Sequence, residues 1–376
     1  MINLTGKYTE ATIYTDNCEA EAQGQIIAIC NHPLFEDNPV KMMPDVHFGK
    51  GCCIGFTAKL TDGIIPNLIG VDIGCGMRVD FLEVKQPIDL PKLDNFIRRN
   101  IPHGFNGHDK IPGHVRLNKN FINNVEEVCK MIGDDKSIDD LKKVGSLGGG
   151  NHFIEVNGTP EEPILVIHTG SRNFGNRIAK FYQQKAIANN NHFNKELCWI
   201  TGQDEQDYMF CIQVAQRYAE LSRLIISLDI VLHLQKQGAM DTFVEENSFE
   251  SVHNYLDFNK GYLRKGAISA QAEEQLIIPL NMRDGCILAT GKGNPDWNYS
   301  APHGAGRLKS RGKAKKELSL ENFTKQMEGI YTSSVAQSTL DESPDAYKPA
   351  EEILSLIEDT VENIVVVKPI YNFKAP

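Results

Sequence analysis

The feature that most limits the fold of this chain is the spread of its glycine-rich segments that carry reactive side chains. These segments recur from Asp45 to Lys374, across most of the 376 residues. Each places a metal ligand or a nucleophile beside glycine or asparagine, and glycine lets the backbone approach a ligand closely. Because one fold has to bring such distant segments together, we expect a single domain over 1–376 with its active site in a central cleft.

Apolar runs and helical periodicity both occur, which predicts an α+β (mixed α/β) fold. Strand-like runs lie at 25–30, 64–74, 164–168, 285–290 and 363–371. Helical patterns lie at 91–100, 121–133, 173–189, 202–238 and 347–364. Regular βαβ alternation is missing, so we expect mixed β-sheets surrounded by helices. The stretch 202–238 is long enough for a helix pair, and 190–250, which is poor in reactive motifs, is expected to be a helical insertion within the domain.

Composition and cysteine usage favour a globular cytoplasmic protein. Hydrophobic residues make up 41% of the chain and charged residues only 23%, unlike a disordered chain. The nine cysteines are scattered without a C-x-x-C pair, which fits a reducing compartment. The N-terminus lacks a basic segment followed by an apolar one. The most apolar helical stretch carries Arg217, Glu220, Arg223 and Asp229, which excludes an ordinary membrane span. We therefore expect no membrane partner, and a monomer.

The charge of the chain is unevenly distributed. A net charge of −10 on its own argues against a nucleic-acid partner. The run 307–316 nevertheless contains no acidic residue and includes Arg307, Lys309, Arg311 and Lys313. Such a run is usually a solvated face. Its position directly after an H-G-A-G-R motif strengthens the alternative, phosphate binding.

Five dispersed side chains have the chemistry of metal ligands. Asp72 and Cys75 are three residues apart in a glycine-rich turn, so that a carboxylate and a thiolate can converge, and His152, His168 and His253 can complete the set. Singly, each is more simply a core or surface residue. Jointly they suit a two-metal site with a bridging sulfur, an arrangement that recurs in phosphoryl chemistry. Cysteine with three histidines favours zinc, whereas aspartate and open positions admit manganese or iron.

The motifs of ordinary nucleotidyltransferase ligases and of P-loop proteins are missing, since the chain has neither K-x-D-G nor G-x-x-x-x-G-K-[ST]. The motifs that are present resemble the RtcB RNA ligases and fall in that family's order. They are P-D-V-H-F-G-K-G at 44–51, G-V-D-I-G-C-G-M at 70–77, G-G-N-H-F-I-E at 149–155, H-T-G-S-R-N-F-G at 168–175 and H-G-A-G-R at 303–307. The resemblance extends to V-K-P-I-Y-N-F-K at 367–374 and so covers essentially the full chain.

This resemblance implies an RNA ligase that joins a 2′,3′-cyclic phosphate or 3′-phosphate end to a 5′-hydroxyl end, in RNA repair or tRNA splicing. GTP would be the co-substrate, two Mn²⁺ ions the cofactors, and archease, a small activating protein, a partner. His303 would accept GMP from GTP and pass it to the RNA, giving an RNA(3′)pp(5′)G end. The residues that match the family's metal ligands are Asp72, Cys75, His152, His168 and His253.

The resemblance also implies contacts to the nucleotide and to RNA. The matching nucleotide-binding positions are Asn151, Glu155, Asn254, Tyr347 and Lys374. Asp45 and His47 match positions expected to support the site. Arg172 is expected to contact a phosphate, with buried structural pairing as the alternative.

One segment departs from the family pattern. The chain reads P-L-N-M-R-D-G at 279–285, where well-known members carry P-G-S-M-G. Asn281 and Arg283 are therefore expected to replace the usual contacts to ribose and phosphates in a divergent branch of the family.

Two other functions fit parts of the sequence. A metal-dependent 2′,3′-cyclic phosphodiesterase or other phosphoesterase would use the metal ligands without ligation. A non-catalytic RNA-binding subunit would use neither the metal ligands nor His303. The intact H-G-A-G-R motif around His303 favours the ligase over both.

Overall fold

Strands gathered into sheets, with helices packed on their faces, make up the computed structural model, which describes residues 1–112 and 117–375. The strands are β1 (Ile2–Thr5), β2 (Glu10–Ile13), β3 (Val40–His47), β4 (Ile54–Lys59), β5 (Gly76–Phe81), β6 (Phe153–Gly158), β7 (Pro163–Thr169), β8 (Ser248–Val252), β9 (Asn254–Asp257), β10 (Tyr262–Lys265), β11 (Ala267–Ser269), β12 (Gln275–Asn281), β13 (Gly285–Gly291), β14 (Ser300–Pro302), β15 (Tyr331–Thr332), β16 (Val361–Val367) and β17 (Pro369–Lys374).

The helices are more varied in length than the strands. They are α1 (Ala20–Cys30), α2 (Leu90–Asn100), α3 (Lys119–Met131), α4 (Ser137–Leu141), α5 (Arg172–Asn189), α6 (Gln203–Lys236), α7 (Arg311–Glu317), α8 (Leu320–Gln326) and α9 (Ala350–Leu354). Short 3₁₀ helices span Pro33–Phe35, Pro66–Leu68, Glu245–Asn247, Pro295–Trp297, Gln337–Glu342 and Pro344–Ala346.

Two six-stranded sheets form the framework. The first has the order β1-β2-β3-β4-β10-β9 and the second β15-β17-β6-β7-β5-β8. A three-stranded sheet, β12-β13-β16, and a strand pair, β11-β14, complete the β structure of the described residues. Most neighbours are antiparallel, but β2 with β3 and β15 with β17 are parallel. The expected α+β class with mixed sheets is therefore confirmed.

Helix α6 connects the two main hydrophobic cores. Its first two thirds, including Tyr218 and Ile225, pack in the core shared by the first sheet, α1, α3 and α5. Its last third, including Ile226 and Ile230, packs beneath the second sheet with α2. The predicted helix pair at 202–238 is thus one 34-residue helix, and the helical segment expected within 190–250 lies in the core. No helix among the described residues has the length and apolar character needed to cross a membrane.

Three sequence predictions of secondary structure were wrong. Residues 25–30 belong to helix α1 instead of a strand, because Ala22, Ile26 and Ile29 turn one helical face to the core. The run 64–74 forms a 3₁₀ turn and loop, since Pro66 starts the turn and Gly70 takes a φ of 90°. The helix expected at 347–364 is reduced to α9, after which the chain enters strand β16.

The other predicted elements are confirmed. Helices α2, α3 and α5 match the patterns at 91–100, 121–133 and 173–189, and strands β7 and β13 match the runs at 164–168 and 285–290. The run 363–371 divides into β16 and β17 at Lys368. Capping fixes two helix starts: Asp89 accepts a hydrogen bond from the Lys92 amide at 3.1 Å, and Asn118 accepts one from the Phe121 amide at 2.8 Å.

Candidate metal centre and nucleotide pocket

One edge of the second sheet gathers four of the predicted metal ligands. Cys75 immediately precedes β5, His152 immediately precedes β6, His253 immediately follows β8, and His168 is the penultimate residue of β7. Strand β5 is antiparallel to both β7 and β8, and β6 is antiparallel to β7. The starts of β5 and β6 therefore meet the ends of β7 and β8 at the same edge. Strand register alone brings these four distant residues together.

The ligand atoms form two overlapping groups that share one sulfur. The Sγ of Cys75 lies 3.3 Å from Nε2 of His152 and 3.4 Å from Nε2 of His168. Asp72 Oδ2 lies 3.1 Å from Nε2 of His152. The groups Asp72–Cys75–His152 and Cys75–His168–His253 each have all ligand atoms within 4.8 Å of one another. Cys75 thus belongs to both groups and would be shared if each group held an ion.

The donor set fits bound metal. Metal–nitrogen and metal–sulfur bonds of ordinary length at a tetrahedral angle put N and S about 3.6 Å apart, close to the observed separations. Burial lowers the pKa of His168 and of His253 well below the ordinary value, so both rings are neutral and offer a lone pair. Burial beside Asp72 raises the pKa of the Cys75 thiol well above its usual range. A thiolate there needs a neighbouring cation.

Two glycines permit this close packing. A Cβ on Gly170 would stand 2.2 Å from Oδ1 of Asp72, and a Cβ on Gly148 would stand 1.8 Å from Nδ1 of His152. Both separations are far below van der Waals contact. The glycines beside the ligands are therefore required for the ligands to approach the backbone.

The predicted nucleophile, His303, lies beside the metal ligands. It directly follows β14, and its ring centroid is 5.0 Å from that of His253. Its Nδ1 is 2.6 Å from Oδ2 of Asp45, a carboxylate with no exposed surface. The Nδ1 of His47 lies 2.8 Å from the main-chain oxygen of Asp45. Asp45, expected to support the site, thus contacts the nucleophile, and His47 contacts the backbone of Asp45.

A cavity of about 340 Å³ opens in front of these groups. It contains Asp72, Cys75, His168, His253 and His303 on one side. The rest of its wall includes most of the residues that the sequence assigned to the nucleotide, without Arg283: Asn151, Glu155, Asn254, Asn281, Tyr347 and Lys374. Four of the five metal ligands, the nucleophile and these nucleotide candidates share one space, and His152 lies outside the cavity lining.

Comparison with known proteins identifies the family. The family model described as tRNA-splicing ligase RtcB matches residues 25–375. The chain belongs to the RtcB family. It is 29% identical to the RNA-splicing ligase RtcB of Escherichia coli K12, over 94% of this chain and 93% of that protein. It is 27% identical to the tRNA-splicing ligase RtcB of Methanococcus maripaludis, over 87% of this chain and 85% of that protein.

Within this RtcB chain, Glu155 and Lys374 lie diagonally across the paired strands β6 and β17, with Glu155 opposite Asn372 and Lys374 opposite Phe153. The carboxylate of Glu155 accepts hydrogen bonds from the amides of Asn372 and Asn157, the latter at 3.3 Å. Burial raises the pKa of Glu155 to about 7, an effect that the Lys374 charge partly offsets. Lys374 donates to the main-chain oxygen of Asn151 at 3.4 Å. One polar wall of the cavity therefore carries a carboxylate that changes charge near neutral pH.

Two asparagines of the RtcB pocket are already engaged by the protein. Asn254 donates to the main-chain oxygen of Asp72 at 3.4 Å and accepts from the Gly266 amide at 3.0 Å, so it braces the metal-ligand turn. Asn281 donates to Asp284 at 2.7 Å and closes the β12–β13 turn. Arg283, expected to replace a usual phosphate contact, lies outside the cavity lining and pairs with Asp284 at 2.7 Å.

The predicted phosphate contacts divide into two groups. Arg307 and Arg311 line the cavity. Lys309 and Lys313 lie outside it, 2.7 and 3.9 Å from the carboxylate of Glu317. The basic run of this RtcB chain therefore points only some of its cations at the site.

Arg172 also lies outside the cavity lining. Its guanidinium donates to Ser146 Oγ at 3.2 Å and to the main-chain oxygen of Gly104. Its backbone has a φ of 59° at the start of α5. These contacts agree with the structural alternative for Arg172, the pairing that ties neighbouring loops together.

The sequence did not single out Glu342. This carboxylate is only 2% exposed and contacts Arg307, Arg311, Tyr347 and Lys374, all of which line the cavity. The D-E pair at 341–342 gives no sign that both acids are buried, so the importance of Glu342 appears only in the fold.

Proposed function

We propose that this protein is an RNA ligase that joins a 2′,3′-cyclic phosphate or 3′-phosphate RNA end to a 5′-hydroxyl end, with GTP as co-substrate. Its relatives in Escherichia coli and Methanococcus maripaludis are named as RNA-splicing and tRNA-splicing ligases. The single observation that carries the proposal is the position of His303 between two overlapping metal-ligand groups and the nucleotide cavity.

Asp45 prepares His303 for attack. A carboxylate 2.6 Å from Nδ1 favours the tautomer in which that nitrogen carries the proton, leaving the Nε2 lone pair free. We infer that Nε2 forms a bond to the α-phosphorus of GTP while the bond to the β-phosphate oxygen breaks and pyrophosphate leaves. The product is a phosphoramidate on His303, which is reactive enough to transfer GMP.

The other residues bind the metal ions and the guanine base, and the bound metal neutralises charge on the phosphates. Asp72, Cys75, His152, His168 and His253 would hold two divalent ions, Mn²⁺ by the resemblance and Zn²⁺ by ligand type. Bound metal supplies charge neutralisation at phosphate oxygens. Glu155, when ionised, can accept hydrogen bonds from the donor groups of guanine, and Lys374 can donate to its carbonyl oxygen. This pairing favours GTP over ATP.

The remaining steps transfer GMP to the RNA. An oxygen of the RNA 3′-phosphate bonds to phosphorus as the bond to His303 breaks, giving RNA(3′)pp(5′)G. The 5′-hydroxyl oxygen of the second RNA then attacks the 3′-phosphorus, and GMP leaves with the electron pair of the broken bond. A cyclic phosphate is first hydrolysed to a 3′-phosphate. Archease is expected to increase the number of turnovers.

The test is covalent labelling of the protein. Purified protein is incubated with Mn²⁺ and α-³²P-labelled GTP, denatured, and examined for retained label that is acid-labile and stable to alkali. His303→Ala abolishes the label. His192→Ala, which replaces an exposed histidine outside the cavity lining, retains it and serves as the matched control.

A different labelling result would contradict the proposal. If the wild-type protein takes up no label but opens a 2′,3′-cyclic phosphate in the presence of metal, the ligase proposal is wrong. The metal-dependent phosphodiesterase then describes the protein.

A further inference from the structure

Glu342 contacts four residues of the cavity wall through its two carboxylate oxygens. Oε1 lies 3.2 Å from NH1 of Arg307 and 2.9 Å from NH1 of Arg311. Oε2 accepts the Tyr347 hydroxyl at 2.6 Å and the Lys374 ammonium at 2.7 Å. A carboxylate has about four lone-pair sites, so these contacts use the full accepting capacity of the side chain.

The partners of Glu342 come from separate parts of the chain. Arg307 lies four residues beyond His303, and the segment around Tyr347 is bridged to Arg307 through backbone pairing. Lys374 ends strand β17 of the second sheet. One buried side chain therefore joins the loop of the nucleophile to the sheet that carries the metal ligands.

These contacts fix the orientation of the cationic side chains as well as compensating their charges. The Arg307 guanidinium stacks over the Tyr347 ring at 4.8 Å and donates to its hydroxyl at 3.0 Å. The Lys374 ammonium lies 5.3 Å from the centre of the Phe153 ring. Long cationic side chains have many rotamers, and holding them in one geometry requires a fixed anionic partner. Glu342 supplies that partner for all three cations of the cavity wall.

The ionisation of Glu342 fits this arrangement. Burial alone would raise its pKa, but the charges of Lys374, Arg311 and Arg307 lower it to about 2. The group is therefore an anion throughout the neutral range. Asp341, whose Oδ2 lies 2.9 Å from NH1 of Arg311, adds a second acid, so the three cations keep an excess of one positive charge for a polyphosphate.

We propose that Glu342 is a positioning residue for the nucleotide: one oxygen holds Lys374 and Tyr347 toward the base, and the other holds Arg307 and Arg311 toward the phosphates. This proposal rests on the proposed function, because it takes the occupant of the cavity to be GTP. Glu342 itself does not touch the reacting atoms. Its role is to set the donor directions that distinguish guanine from adenine.

Two simpler roles of Glu342 predict different results for its variants, so the experiment can separate them from positioning. If Glu342 only offsets repulsion among the cations, Glu342→Gln adds one net positive charge and tightens the binding of any nucleoside triphosphate. If Glu342 only stabilises the fold, the variant loses melting temperature without a change in base preference. Positioning predicts weaker binding together with a smaller preference for guanine.

The experiment measures equilibrium binding of α,β-methylene-GTP and α,β-methylene-ATP in the presence of Mn²⁺. Neither analogue can transfer its nucleotide, so binding is measured independently of His303 chemistry. Glu342→Gln is compared with Glu342→Asp, which keeps the charge but shortens the reach. Asp94→Asn is the matched control, since Asp94 is a buried carboxylate that binds Arg98 and the Tyr371 hydroxyl outside the cavity lining.

We expect Glu342→Gln to weaken binding of the GTP analogue by about tenfold or more, the effect of losing a charged hydrogen bond, and to reduce the preference over the ATP analogue. Glu342→Asp should recover part of both losses. In GTP labelling the variant should raise the GTP concentration for half-maximal rate more than it lowers the maximal rate. Asp94→Asn should leave the base preference unchanged.

Several results would overturn the proposal. Unchanged or tighter binding by both Glu342 variants would do so, as would equal losses for the two analogues. Failure of the wild-type protein to bind either analogue would overturn both this proposal and the proposed function. Normal analogue binding without labelling by GTP would refute the ligase alone and leave the role of Glu342 to be decided by the binding ratio.

Discussion

The metal-ligand edge of the second sheet and the basic run at 307–316 differ in what places their side chains. At the sheet edge, Cys75, His152, His168 and His253 are short side chains at strand ends. Their ligand atoms meet because the strands pair in a fixed register. In the basic run, by contrast, the position of each charge depends on the acid that it contacts.

Neighbouring acids pair with several cations of the basic run and offset much of its positive charge. Glu317 pairs with Lys309 and contacts Lys313, whereas Asp341 pairs with Lys315. Arg307 and Arg311 are drawn into the cavity wall by Glu342. Residue type and spacing therefore predict a site well when the backbone sets the geometry of its side chains. They predict it poorly when long side chains choose their partners in three dimensions.

The largest expected effect concerns Asp45, which lies on strand β3 of the first sheet and contacts the nucleophile. Asp45→Asn should slow the labelling of His303 by on the order of 10³-fold, because the amide no longer enforces the tautomer with a free Nε2 lone pair. Metal content, measured in parallel by plasma mass spectrometry, should stay at the wild-type level. A labelling rate within tenfold of wild type would show that backbone placement of His303 suffices without this carboxylate.

A smaller effect tests whether the glycines set the ligand geometry. Gly170→Ala should weaken metal binding by about 10²-fold, as is typical for a displaced support of a metal ligand, because its Cβ would collide with Asp72. Gly24→Ala is the control: no atom lies within 4 Å of its added methyl in helix α1, and the helix gains stability. Equal metal affinity in both variants would contradict the claim that close backbone approach builds the site.

The pH dependence of the KM for GTP tests the role of Glu155 in the polar wall of the cavity. Burial raises the pKa of Glu155 to about 7, so the carboxylate is ionised at pH 8 and largely protonated at pH 6. At pH 6 about one tenth is ionised, and the KM for GTP should be about tenfold higher than at pH 8. Glu155→Gln should have a high KM that lacks this component of the pH dependence. Parallel profiles for both proteins would rule out Glu155 as the titrating group.

The smallest effect concerns the basic run. Glu317→Gln frees Lys309 and Lys313 from their acid, so the affinity for RNA should rise a few-fold and the slope of log affinity against log salt should steepen by about one. Replacing Lys309 and Lys313 by glutamine should shift both quantities only slightly in the other direction. A large loss of RNA affinity in the double lysine variant would mean that the run is the main RNA track after all.

The site was easier to predict than parts of the fold. The residues Asp72, Cys75, His152, His168 and His253 were predicted together, and the structure places them together. Their chemistry is unusual beside glycine, so the signal is local. The strand predicted at 25–30 was wrong because isoleucine-rich runs serve a helix face as well as a strand, and only tertiary packing decides between the two.

What the sequence could not show were the partners of charged groups. Glu342 is one acid among 49, and nothing in its neighbourhood marks it as buried. Arg172 lies within the H-T-G-S-R-N-F-G motif, yet its guanidinium binds Ser146 and the backbone of a neighbouring loop. Such pairings are made between distant segments, which pattern and spacing do not encode.

Two ligand groups share Cys75, and metal stoichiometry tests this sharing most directly. Each protein is loaded with Mn²⁺, freed of excess metal by gel filtration, and measured by plasma mass spectrometry. Wild type and the control Cys198→Ala, which alters a buried cysteine elsewhere, should retain two ions per chain. His152→Ala and His253→Ala should each retain one, and Cys75→Ala none. Two ions retained by Cys75→Ala would contradict the bridging thiolate.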